Sequence, residues 1–184
     1  MHDDAAGGPA LRALGRVVSA LAAVGMALAA SGLLISFVLI GWAVVMRYAF
    51  NAAPIWVDEV VGFLLVAIVL LAAAQTLRRG EHIGVDLLTD RLSARSKRWT
   101  SAWAALATGI IAGVLIVNGW ETASLARRLG LLTEGSLEWP TWWLMLLMPV
   151  GGTLLLLAAV EALWRTVVGA PPLRAPAHGE ADAE

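Results

Sequence analysis

The sequence predicts an all-α integral membrane protein with four transmembrane helices, and three observations lead to that fold class. The chain has 184 residues, of which 59% are hydrophobic and only 15% are charged. Its 13 basic and 14 acidic side chains avoid four long uncharged runs. The nine tryptophans fall near the ends of those runs, as indole rings do at a membrane–water interface.

The four uncharged runs predict the spans, at about residues 17–46, 60–77, 99–120 and 139–160. A helix needs about 20 apolar residues to cross a ~30 Å hydrocarbon core. The second run holds 18 residues, but Glu59 and Arg78 at its ends can keep their charged groups in the interface. The first run is longer than the membrane requires, so we expect a tilt or an interfacial first turn.

The distribution of basic residues predicts the orientation. Ten of the 13 Lys and Arg lie in the N-terminal segment, the middle connection and the C-terminal tail, and three lie in the other two connections. The positive-inside rule therefore places both termini and the middle connection in the cytoplasm. The start of the chain also resembles a cleavable signal peptide ending at Ala29, but the apolar run continues to Met46, which favours an uncleaved first span.

The first outer connection runs from Arg47 to Glu59 and carries Pro54 and Asp58 at the start of the second span. Proline suits the first turn of a helix because its φ is fixed near the helical value. Acidic residues suit the same turn because the helix dipole places positive charge there. Arg47 and Glu59 flank the same membrane face. Two interpretations are open: an ion pair that joins the first two spans, or separate anchoring of each residue at the interface.

The remaining connections and the tail complete the predicted organisation. Val85, Leu88 and Leu92 recur at helical spacing, which predicts a short amphipathic interfacial helix at about 83–92. The second outer connection, 121–138, is either solvated or contacts a periplasmic partner. We expect one membrane domain over residues 1–168 and a disordered Pro-rich tail over 169–184.

Several functional classes are excluded by what the spans lack. No uncharged run contains an ionisable group of the kind that lines an ion or proton path. His82 has no second His or Cys nearby, so we expect no metal, haem or other cofactor. No span offers a general base for a nucleophile, so we expect no enzyme. A net charge of −1 argues against nucleic acid, and the absence of cysteine excludes a disulfide framework.

Small residues suggest where the helices pack. Gly109 and Gly113 form a small-xxx-small pair in the third span, and Gly32 and Ser36 form another in the first. Pro149, followed by Gly151 and Gly152, predicts a kink in the fourth span where a carbonyl loses its hydrogen-bond donor. Together these patterns predict an anchored four-helix scaffold in contact with membrane lipid.

The order of the motifs resembles a known family. An Arg-Tyr-Ala-Phe-Asn segment precedes Trp56 and Glu59, a His-Ile-Gly-Val-Asp segment follows the second span, and a Pro-Val-Gly step lies in the fourth. This set is similar to the small, DctQ-type membrane subunit of tripartite ATP-independent periplasmic (TRAP) transporters, from about Arg12 to Val168. The residues that match its motifs are Arg47, Tyr48, Asn51, Trp56, Glu59, His82, Asp86, Pro149 and Gly151.

The resemblance implies a multi-pass protein of the bacterial inner membrane. It implies a large multi-span subunit that holds the substrate and sodium sites, and a periplasmic substrate-binding protein that delivers an organic acid. The small subunit would scaffold the large one. Two alternatives are a self-sufficient homodimeric multidrug-type transporter, whose first-span glutamate is missing here, and a membrane anchor for a cytoplasmic enzyme.

Overall fold

The computed structural model describes residues 9–52, 54–79, 94–133 and 135–168, and every long element among them is a helix. Four stretches are long and apolar enough to span a membrane, as the sequence predicts. The helices are α1 (Pro9–Phe50), α2 (Ile55–Arg79), α3 (Ala94–Leu129), α4 (Thr141–Met145) and α5 (Leu147–Val168), with α4 and α5 forming the fourth span. The predicted interfacial helix at 83–92 and the tail at 169–184 lie outside the described residues.

The helices extend beyond the uncharged runs that predict them. The 42 residues of α1 correspond to a length of roughly 63 Å, about twice the ~30 Å hydrocarbon core. Both termini of α1 therefore project beyond the hydrocarbon, or the helix is strongly inclined. We call the end of the bundle that carries Arg78 and Arg165 the basic end, and the end that carries Glu59 the loop end.

The fourth span is interrupted near Pro149, where the sequence predicts a kink. The helix stops at Met145 and resumes at Leu147, so the break lies one turn before the proline. Proline has no N–H to donate to the carbonyl four residues earlier, which here belongs to Met145. The intervening Leu146 still donates to the Trp142 carbonyl at 3.1 Å. The missing donor explains why α4 and α5 are separate.

One face of α1 carries a regular seam of small buried residues. Along the seam the spacing alternates between four and three residues, which keeps one stripe of the helix against its neighbours. Its buried members are Leu11, Gly15, Val18, Ala22, Gly25, Ala29, Gly32 and Ser36. A Cβ on Gly25 would lie 2.9 Å from the Leu71 carbonyl oxygen, and one on Gly32 would lie 3.2 Å from Ile68. Small residues thus allow α1 and α2 to approach closely.

The helix α5 packs against α1, α2 and α3, and two of its glycines lie at the closest contacts. A Cβ on Gly151 would lie 2.6 Å from Leu70 Cβ in α2, and one on Gly152 would lie 3.1 Å from the Ala112 carbonyl in α3. The predicted small pair in α3 has a different environment. A Cβ on Gly109 would make ordinary contacts near 4 Å, and nothing described lies within 4 Å of one on Gly113.

These environments predict opposite effects of the same substitution. Gly151→Ala should lower the free energy of unfolding by about 1–3 kcal/mol, because the added methyl overlaps a Cβ and a backbone carbonyl that cannot easily move. Gly113→Ala should be neutral or raise it by roughly 0.5–1 kcal/mol, because alanine is the better helix former and the space is open. Reversible denaturation of both variants in detergent micelles checks this. Equal effects at the two positions would contradict the assigned packing.

Candidate functional site

A buried carboxylate lies at the basic end of the bundle. Glu161 on α5 is completely buried, and two arginines from different helices bind it. Arg78 on α2 donates from Nε to Oε2 at 2.9 Å and from Nη2 to Oε1 at 3.3 Å. Arg165, one turn further along α5, donates to Oε1 from Nε at 3.2 Å and from Nη2 at 3.1 Å. Both carboxylate oxygens therefore have charged partners.

The same cluster also reaches α1 through a glycine. Arg78 Nη2 donates to the Gly15 carbonyl at 3.3 Å, so one guanidinium bridges α1 and α5. A Cβ on Gly15 would lie 3.0 Å from Glu161 Oε1 and 3.1 Å from Arg165 Nη2. The absence of a side chain at this seam position leaves the space that the ion pairs occupy. Three helices are consequently joined at one point.

This cluster was missed by the sequence analysis because its members lie just outside the uncharged runs. Arg78 follows the second run directly and is predicted to lie in the interface, whereas Glu161 follows the fourth run directly and is assigned no role. The one local signal is the i,i+4 spacing of Glu161 and Arg165 on α5, which favours a pair on one helix face. The pairing across 83 residues with Arg78 has no local signature.

Glu59 holds a loop at the opposite end of the bundle. Its carboxylate accepts hydrogen bonds from the Ser136 backbone N–H, from Ser136 Oγ at 3.0 Å and from the Leu137 N–H at 3.4 Å. An ion pair with Arg47, one of the two interpretations of the sequence, is not formed. Arg47 is exposed and makes no ion pair with a described residue. Separate anchoring is the interpretation that fits, with Glu59 bound to a distant loop.

The loop that Glu59 binds is itself folded. It begins after Gly130, whose φ of +63° ends α3 and which only glycine adopts readily. Leu132 and Pro140 form an isolated antiparallel bridge, and the Thr133 N–H donates to the Trp139 carbonyl at 2.9 Å. Gly135 lies so close to the Glu59 carboxylate that any Cβ would overlap it. The second outer connection is therefore an ordered turn tied to α2 in the part that the structure describes.

Other residues of the motif next to Arg47 have separate environments. Asn51 has φ +51°, in the left-handed region that asparagine tolerates better than most residues, and it ends α1. The backbone N–H of the following residue, Ala52, donates to the Met46 carbonyl at 3.1 Å. Tyr48 is 83% exposed and Trp56 is 40% exposed. Asn51 thus has a backbone role, and the two aromatic side chains face outward.

Two predicted site residues, His82 and Asp86, lie outside the described residues. Over the described ranges, no three His, Cys, Asp or Glu side chains lie together in a way that could hold a metal ion. In the described chain, polar groups gather around two carboxylates, Glu161 at the basic end and Glu59 at the loop end.

Comparison with known protein families shows to which family the chain belongs. The model of the DctQ component of tripartite ATP-independent periplasmic transporters matches residues 36–169. The chain belongs to this family. The resemblance seen in the motif order is confirmed, and the matched part begins within α1, at Ser36.

Two relatives of this DctQ-family chain carry related names. It is 22% identical to the sialic acid TRAP transporter small permease protein SiaQ of Vibrio cholerae, over 67% of this chain and 69% of that protein. It is 31% identical to the C4-dicarboxylate TRAP transporter small permease protein DctQ of Rhodobacter capsulatus, over 55% of this chain and 44% of that protein. No solved structure matches the chain.

The buried cluster predicts a large loss of stability in Glu161→Gln. The substitution preserves shape but leaves Arg78 and Arg165 without a counter-charge, and breaking a buried ion pair costs about 3–5 kcal/mol. Denaturation in micelles, followed by tryptophan fluorescence, measures the loss. Glu121→Gln, at an exposed position, is the matched control and should unfold like the parent. Equal stability of the two variants would show that the cluster contributes little.

The loop contact predicts a local change in Glu59→Ala. Without the carboxylate, the N–H groups of Ser136 and Leu137 lose their acceptors and should exchange with solvent several-fold faster. Hydrogen–deuterium exchange of the intact chain checks this. Asp58→Ala removes a neighbouring exposed carboxylate and should leave these two amides unchanged. Unaltered exchange in Glu59→Ala would contradict the loop contact.

Proposed function

We propose that this DctQ-family chain is the scaffold of a TRAP transporter, bracing the large subunit during uptake of an organic acid. In this proposal uptake is coupled to sodium and depends on a periplasmic binding protein. The observation that supports the scaffold role is the way in which the buried Glu161 is bound. Arginines bind both of its carboxylate oxygens, and Arg78 among them joins α5 to α2.

Because both oxygens of Glu161 are already bound by arginines, this residue does not suit a transport path through the chain. A group that carries an ion or proton must change partners or protonation during the cycle. Glu161 is held in a fixed position, because two guanidiniums donate charge-assisted hydrogen bonds to its carboxylate. A part that remains fixed while another part moves is what alternating access requires. The joined helices α1, α2 and α5 are suited to that stationary role.

The exposed surface of α1 supports a membrane partner. Beyond Ser36 the side chains of this helix are exposed or half-buried, and Phe37, Val38 and Tyr48 are among the strongly exposed ones. Nothing described lies within 4 Å of a Cβ at Gly41, so another helix backbone could approach closely there. We propose the large subunit as that partner. Lipid covers the faces that it leaves free.

The substrate class and the location follow from the relatives and the charges. The two relatives are named for sialic acid and for C4-dicarboxylates, both of which are carboxylic acids. We propose an organic acid here without naming it, because the binding protein and the large subunit would select it. The bias of basic residues towards one side is consistent with a bacterial inner membrane protein whose termini are cytoplasmic.

Co-expression with a candidate large subunit and reconstitution with its binding protein test the function. Arg47→Ala and Glu59→Ala should each lower the yield of the purified complex and sodium-driven uptake together, several-fold. Arg47 is exposed without an ion-pair partner in the described chain, so its loss should affect assembly more than folding. The control is Arg128→Ala, an exposed arginine at the same end, which should assemble and transport normally.

Two outcomes would overturn the proposal. One is unchanged complex yield and uptake in both Arg47→Ala and Glu59→Ala. The other is a chain that purifies only with itself and still moves substrate in vesicles, which would support the homodimeric transporter.

A further inference from the structure

Four arginines lie near Gly15 at the basic end, two in contact with it and two beside it on α1. Arg78 Nη2 hydrogen-bonds to the Gly15 carbonyl, and Arg165 Nη2 lies 3.1 Å from the position of a Gly15 Cβ. Arg12 and Arg16 flank Gly15 within one turn of α1, and both are exposed. We call these four residues the arginine cluster.

The arginine cluster carries more positive charge than its described surroundings neutralise. Glu161 is the one carboxylate at the basic end among the residues that the structure describes, and it already binds Arg78 and Arg165. The Arg78 and Arg165 side chains are only 10% and 24% exposed, so water screens their charges incompletely. Like charges held together in this way are stabilised by an anion.

Apolar surface borders the arginine cluster on both helices. Val17 and Leu21 on α1 are 56% and 41% exposed, and Trp164 and Val167 on α5 are 41% and 71% exposed. A soluble phosphate would match the arginines but gain nothing from this apolar surface. A phospholipid matches both, because its phosphate meets the guanidiniums while its acyl chains lie along the helices.

We propose that the arginine cluster binds the headgroup of an anionic phospholipid. Arginine suits this role because its planar fork can donate two parallel hydrogen bonds to phosphate oxygens. Glu161 fixes the guanidinium of Arg165 through two bonds, so that arginine is held in place before the lipid arrives. Arg12 and Arg16 add charge from the exposed side of α1. The site is independent of which solute the transporter carries.

The test uses the full chain, extracted from vesicles that contain equal parts of phosphatidylglycerol and phosphatidylethanolamine. Native mass spectrometry should show phosphatidylglycerol retained in preference. Arg12→Gln and Arg16→Gln, which leave the buried ion pairs intact, should each reduce that retention about fivefold. The double variant Arg127→Gln/Arg128→Gln removes two arginines at the loop end and should retain lipid like the parent.

A competition arm distinguishes the lipid from free phosphate. Repeating the extraction in excess inorganic phosphate should leave the retained phosphatidylglycerol unchanged, because the acyl chains contribute to binding. Displacement by inorganic phosphate would assign the arginine cluster to a soluble anion and overturn the lipid proposal. Equal retention of the two lipids by the parent would also overturn it, as would equal losses in the basic-end and loop-end variants.

Discussion

The arrangement of the helices depends on one buried carboxylate and the arginines that bind it. Glu161 is fully buried, and a buried charge is tolerated only when charged or hydrogen-bonding partners surround it. Its partners come from its own helix and from α2, and one of them also binds α1. Movement of α2 relative to α5 would separate Arg78 from Glu161, and movement of α1 would break the hydrogen bond from Arg78 to the Gly15 carbonyl. The ion pair and this hydrogen bond therefore restrict the relative positions of the three helices more narrowly than apolar contacts would.

Close packing at this point requires small residues, and the sequence provides them at regular intervals. Gly15 leaves room for the guanidiniums, and Gly25 lets the α2 backbone approach α1. At the loop end the same principle recurs, since Gly135 makes space for the Glu59 carboxylate. Both carboxylates thus bind donors from segments that are far away in the sequence, and a glycine lies beside each of them.

The spans and the family could be predicted from the sequence because both depend on patterns of residues that are close together in the chain. Uncharged runs mark the helices, and proline predicts the interruption before Pro149. The polar contacts could not be predicted, because each joins residues about 80 positions apart. Glu59 illustrates the difficulty: Arg47 is its nearest candidate in sequence, yet backbone N–H groups of a distant loop bind it. Likewise, spacing alone identifies Gly113 as a packing residue and does not reveal that its face is open.

The alternation of three and four residues along the α1 seam has a geometric consequence. A strict repeat of 3.5 residues does not follow a straight helix of 3.6 residues per turn, so helices packed in this way wind around each other with a left-handed superhelical twist. Over the seam from Leu11 to Ser36, a pitch of about 150 Å corresponds to roughly a quarter turn. Along the seam, the contacts of α1 change from α2 and α5 residues at Gly15 and Gly25 to the α2 residues Ile68 and Leu64 at Gly32. The face of α1 that is left free by these contacts follows the same gradual rotation between Leu11 and Ser36.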